Sequence, residues 1–115
     1  MASSWVGVTQ AGSSTVRLLL PAERAVLPRN APVDFTWLEA PQASFYRVEV
    51  RTMAGEPVVA AVVTRGAASY RAPSFLADRA GDGFLQWRVT ALDVDGNRIE
   101  DSGWRDFRLV AGGQP

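Results

Sequence analysis

From residue 85 to residue 91 the chain alternates without a break. Leu85, Trp87, Val89 and Ala91 are apolar, and Gln86, Arg88 and Thr90 between them are polar. Successive side chains of a β-strand point to opposite faces, so this pattern buries one side and wets the other only as a strand. The same period returns at 33–37, where Val33, Phe35 and Trp37 oppose Asp34 and Thr36. It returns again at 45–51, where Tyr46, Val48 and Val50 oppose Arg47, Glu49 and Arg51. The segment 104–110 turns Phe107 and Leu109 inward. A chain with this repeat has to build sheets and close them face to face.

Turn residues punctuate the strands roughly every ten positions, the spacing of an all-β sandwich or barrel. Further strands are expected at 16–20, 58–64 and 69–72, with Tyr70 inward. The stretch 22–32 holds Pro28 and Pro32 and follows Pro21, so it reads as an extended continuation along a sheet edge. The run 58–63 is too uniformly apolar to assign its faces, and whether it is an open edge strand is not legible. Residues 73–76 lead into a loop containing Gly81 and Gly83. No amphipathic helix of ten residues or more is legible. The expected core is Trp37, Tyr46, Val48, Tyr70, Trp87, Val89 and Phe107. Each large side chain, fully buried, contributes roughly 1.5–3 kcal/mol. The 115 residues fit one domain, spanning 15–110. The small polar ends suggest a flexible leader over 1–14, a flexible tail over 111–115 and a domain excised from a longer chain.

Composition narrows the chemistry. The twelve basic residues are all Arg and balance twelve Asp and Glu; Lys, His and Cys are absent. Arg without Lys, with abundant Ala, points to a GC-rich bacterial genome. A neutral chain gives no electrostatic reason to expect nucleic acid. Without Cys there is no disulfide framework to indicate a redox compartment, no thiol catalysis and no thiolate metal site. Without His the commonest general base and metal ligand are missing, and without Lys so is Schiff-base chemistry. The longest apolar runs fall far short of the ~20 residues of a spanning helix, so this segment inserts into no membrane as a helix. The chain is therefore expected to be no enzyme, with no catalytic, cofactor or metal residues.

Several segments still invite a site. Asp93, Asp95 and Asn97 place oxygens at alternate positions, as Ca²⁺ prefers. Gly96 and the absence of a matching Glu break the EF-hand spacing, and an Asp95-Gly96 hairpin turn is the simpler account. Asp34, Glu39 and Glu49 are the strand-region carboxylates, but Asp34 and Glu49 are outward and expected on different sheets. Gly81-Asp82-Gly83 is too short and acidic to cradle phosphate. Trp37 and Trp87 are inward, Trp5 lies in the leader, and Trp104 alone has outward parity. The outward face then reads Phe45, Arg47, Glu49, Arg51, Gln86, Arg88, Thr90, Trp104, Asp106 and Arg108. Phe45, Arg47, Arg88, Trp104 and Arg108 are its candidate partner surface. The same residues fit cross-strand ion pairs and a Trp104–Arg88 stack.

Trp37 on the second strand, Tyr46 opening the third, and Leu85, Trp87, Val89 and Ala91 later on together resemble a fibronectin type III domain over 16–110. Bacterial variants of that family fit closest, through Phe35-Thr36-Trp37, the run 46–50 and the run 87–93. The resemblance implies a two-sheet antiparallel β-sandwich of about seven strands, immunoglobulin-like in architecture. It also implies a non-catalytic interaction or spacer module of a larger bacterial, extracytoplasmic protein (periplasmic or cell-surface), whose protein partner it does not name. The alternative it implies is a carbohydrate-binding accessory module of a secreted enzyme. Where Leu85 stands the family usually has a Tyr whose hydroxyl ties down the preceding corner, so that corner is expected to be held by packing alone. Arg65-Gly66-Ala67 is not the integrin tripeptide. Ser102 and Trp104 loosely resemble the segment before the last strand in cytokine-receptor members of the superfamily, where a Trp stacks among arginines.

Overall fold

The aromatic residues that alternation turns inward lock two sheets together. The computed structural model describes residues 16–111; the expected leader over 1–14, with Trp5, and the expected tail apart from Ala111 lie outside them. The described residues form nine strands: β1 (Leu18–Leu20), β2 (Ala25–Pro28), β3 (Asp34–Trp37), β4 (Phe45–Thr52), β5 (Pro57–Thr64), β6 (Ser69–Arg71), β7 (Phe84–Leu92), β8 (Arg98–Asp101) and β9 (Arg105–Val110). One sheet has the order β1-β3-β6 and the other β2-β9-β7-β4-β5, with β8 also on β7. Phe35 of β3 reaches across the interior to Trp87 of β7, ring centroids 4.8 Å apart, and to Phe107 of β9 at 5.7 Å. Trp37 meets Tyr46 of β4 edge to face at 5.4 Å. Such aromatic pairs contribute about 0.5–1.5 kcal/mol beyond their area, and here each one joins opposite sheets.

Six of the seven expected core residues are fully buried; Tyr70 is only partly so. It sits on β6, the three-residue edge of the smaller sheet, where little covers it. Two strands exceed the expected seven. β2 and β8 have four residues each, too few for a readable period. The chain passes from one sheet to the other between β1 and β2. There β2 pairs with β9 in parallel, the one such ladder in an otherwise antiparallel set of described pairings.

Two local expectations are corrected. The segment after β6 is not all loop: Phe75–Arg79 forms a single helical turn, α1, that buries Leu76 in the end of the sandwich. Nor is the corner before Leu85 held by packing alone. Arg29 Nη1 donates to the carbonyl of Ala77 at 2.8 Å, and Nη2 donates to that of Gly81 at 2.7 Å. An arginine just past β2 thus satisfies the carbonyls that a tyrosine hydroxyl would otherwise help to order. The corner ends at Gly83, with φ of +90°, where a Cβ would overlap the carbonyl oxygen of Leu109. A tyrosine does brace a corner elsewhere. The buried Tyr46 hydroxyl accepts from the Ala40 amide at 2.7 Å and donates to Glu39 Oε1 at 3.0 Å.

Candidate functional site

The outer face of the larger sheet takes its form from a break in one strand. β8 and β9 lie end to end along the same side of β7: β8 pairs with Thr90–Leu92, and β9 pairs with Phe84–Trp87. Between them Ser102 keeps the ladder going with its side chain. Its amide donates to Val89 O at 3.0 Å, while the Val89 amide donates to Ser102 Oγ at 3.0 Å. The hydroxyl then donates to Gly103 O at 2.8 Å. Gly103 turns with φ of +75°, and its amide donates to Asp101 Oδ1 at 2.9 Å. The glycine supplies the left-handed conformation that side chains disfavour. The indole of Trp104, the next residue, packs against the guanidinium groups of β4 and β7.

Two guanidinium groups sit on that indole. Arg51 Cζ is 3.8 Å from the ring centroid and Arg88 Cζ is 4.5 Å away. Both arginines are pinned from the other side. Arg51 Nε donates to Gln86 Oε1 at 2.9 Å, and Gln86 Nε2 donates to Asp106 Oδ1 at 2.9 Å. Arg88 Nε donates to Glu49 Oε1 at 2.9 Å, and Arg47 Nε stands 3.6 Å from the same oxygen. The face is thus a lattice of cations, carboxylates and one indole, linked across β4, β7 and β9. Glu49 faces both Arg47 and Arg88, while Gln86 and the indole hold Arg51, so the lattice presents fixed, planar polar groups.

Of the five residues singled out from sequence, Arg88 and Trp104 meet as expected. Arg47 joins them through Glu49. Arg108 lies toward the other end of the sheet, stacked 4.4 Å over Phe84. Phe45 opens β4, opposite Leu92 and Thr64. The five therefore run along the face and do not form one cluster. Arg51 was missed as a partner of Trp104 because the contact is diagonal, one register row away from Glu49 and Arg88. Thr90 has outward parity yet is 1% exposed, because β8 folds back beside it and Asp101 pairs with it.

The carboxylates fall where alternation puts them. Asp34 is on the three-stranded sheet and Glu49 on the larger one. Asp34 is bound by Arg71, with Nε to Oδ1 at 2.8 Å, and that hydrogen bond holds its carboxyl below the usual range. Glu39 spans Tyr46 and the Gly66 amide, the latter donating to Oε2 at 2.8 Å. Burial, and then the Glu39 carboxylate, push the Tyr46 phenol up, against the pull of its hydrogen bond at Ala40. Asp93 closes its own turn: Oδ1 accepts from the amides of Asp95 and Asn97, both at 2.9 Å, and Gly96 has φ of +86°. Among the described residues no three acidic side chains gather in a way that could hold a metal ion, and no helix is long and apolar enough to cross a membrane.

No protein-family model matches the sequence, and neither does any curated protein. Solved structures do match the fold. CopC from Methylosinus trichosporium OB3b superimposes with a TM-score of 0.57 at 13% identity, over 87% of this chain and 98% of that one. A β-1,2-glucanase from Parabacteroides distasonis gives 0.57 at 17% identity, over 85% of this chain but only 13% of the glucanase. An Fn3-like protein from Clostridium thermocellum gives 0.53 at 20% identity, over 81% of this chain and 93% of that one. The chain is a fibronectin type III-like, immunoglobulin-like β-sandwich. At these identities the likeness concerns the fold.

Proposed function

We propose that the chain is a non-catalytic interaction module of a larger bacterial protein, working outside the cytoplasm. Its contact surface is the outer face of β4, β7 and β9, from Phe45 and Arg47 through Arg88 and Trp104 to Arg108. The observation that carries this reading is the lattice itself. Arg51, Arg88, Trp104, Gln86, Glu49 and Asp106 are tied to one another and do not converge on a cleft where a reacting atom could sit. A pre-ordered polar surface with a flanked indole loses little side-chain freedom on contact, which favours recognition. The absence of His, Cys and Lys supports the non-catalytic part.

The test is site-specific photo-crosslinking from position 47 in the parent organism, with and without Trp104→Ala. A single cross-linked protein, lost in the variant, is the expected result. Labelling unaffected by Trp104→Ala would remove this face from the proposal. The second reading, a carbohydrate-binding accessory module, rests on the match to 13% of a glucanase chain. A glycan array separates the two: saturable glycan binding that Trp104→Ala abolishes favours the second.

A further inference from the structure

The edges of this sandwich are unequally guarded. β1 and β6, the edges of the smaller sheet, have three residues each, and β2 ends at Pro28. Short strands and prolines discourage pairing with another chain. β5 is different. Beyond its opening Pro57 it runs for seven more residues with no charged side chain, and among the described strands it pairs only with β4. The Arg65 amide donates to Ser44 O at 3.0 Å, one step beyond the Phe45–Thr64 pair. By the alternation of an antiparallel ladder, the backbone groups of Ala60, Val62 and Thr64 then point to the open edge.

From this we infer that β5 pairs antiparallel with β5 of a second copy, about a two-fold axis through Ala61, joining two six-stranded sheets into one. Face parity limits the register. Opposed residues must share a face, so the axis passes through a residue and not between two. Charge selects which residue. Val62 lies beside Arg47, and Ala60 beside Glu49. With the axis at Ala61, Val62 opposes the second copy's Ala60. Each outer row then runs Arg47, Val62, and the second copy's Ala60 and Glu49. An axis at Ala60 would line up the two Glu49 carboxylates, and one at Val62 the two Arg47 guanidinium groups. On the inner side Val59 meets Val63, and Ala61 meets itself. The exposed Val62, at 60%, is covered. A two-fold contact of this kind closes on itself and stops at two copies.

The experiment uses the 115-residue chain in analytical ultracentrifugation from about 10 μM to about 1 mM, the span of weak interfaces. The mass is expected to climb toward that of a dimer. Ala60→Pro removes an outward amide and should weaken association at least tenfold while leaving the thermal midpoint close to wild type. A second measurement does not depend on that variant folding. The chain lacks cysteine, and directly opposed, non-hydrogen-bonded residues lie about 4.5 Å apart, within disulfide reach. Under mild oxidation Ala61→Cys should cross-link at least tenfold faster than Ala60→Cys or Val62→Cys. A monomer throughout the concentration range, or equal cross-linking at all three positions, overturns the inference.

Discussion

Replacing Trp104 with alanine removes the platform on which Arg51 and Arg88 both rest, 3.8 Å and 4.5 Å from the ring centroid. A guanidinium on an exposed indole contributes about 0.5–1 kcal/mol, and more when partly desolvated. The Arg88 side chain is 27% exposed, so its stack belongs near the top of that range. With two cations on the ring, Trp104→Ala should cost about 2 kcal/mol, twice what one stack supplies. The assay is urea unfolding followed by the fluorescence of the buried Trp37 and Trp87. Two double-mutant cycles apportion the loss, one pairing Trp104→Ala with Arg51→Ala, the other with Arg88→Ala. Cycles cancel the side effects of each single change, such as the unpairing of Glu49 when Arg88 is lost. Coupling of about 1 kcal/mol is expected for Arg51, and somewhat less for the more distant Arg88, which Glu49 also holds. Coupling within about 0.3 kcal/mol of zero in both cycles, the usual additivity error, would refute the stack and leave Trp104 as a residue held outward for a partner alone.

Trp37→Ala or Trp87→Ala should each cost ~3–5 kcal/mol and nearly unfold the domain; an unchanged urea midpoint would mean that the inner faces are misassigned. Tyr46→Phe strands the Ala40 amide in the core and should cost about 1–3 kcal/mol in the same melts. Because the folded Tyr46 phenol is raised above its unfolded value, its share of stability is complete below about pH 10 and is lost as pH climbs through the higher folded value; Tyr46→Phe should remove that alkaline loss. Gly83→Ala should destabilise severely, since it needs both a positive φ and a displaced Leu109 carbonyl; a midpoint near wild type would show that the β7–β9 start can shift freely. Adding Ca²⁺ should leave the thermal midpoint where it is, because Asp93 is already spent on its own turn; a clear rise would return 93–97 to consideration as an ion site.

The parts of the fold that sequence made legible are those where one strand meets two environments. At 85–91 the polar and apolar residues sort themselves, and so do the faces. β5 has no such contrast. A register shift opposite Val50 and Arg51 also turns both Val58 and Val59 inward, so a strict period does not exist there to be read. α1 spans five residues, barely one turn, which leaves no helical period either. Arg29 carries no local signal of its role, because its partners lie 48 and 52 residues away. The Trp104–Arg88 contact was readable because parity and neighbouring strands sufficed. Arg51 needed both the register between β4 and β7 and the place along β7 where the 102–104 break sets Trp104.

The parallel pairing of β2 with β9 has a mechanical consequence. Four register pairs join Ala25–Pro28 to Phe107–Val110, extended at either end by Arg24 N to Asp106 O and Arg29 N to Val110 O, both 2.8 Å. Because the strands run the same way, the chain enters this ladder at one end and leaves it at the other. Tension between residues 24 and 111 therefore pulls the two strands past each other lengthwise. Every bond in the ladder is loaded together, and none can be peeled open ahead of the rest. Resistance to such a pull is set by the rate of unfolding, not by the equilibrium stability. A domain wired this way behaves as a shear clamp in series with whatever holds its two ends.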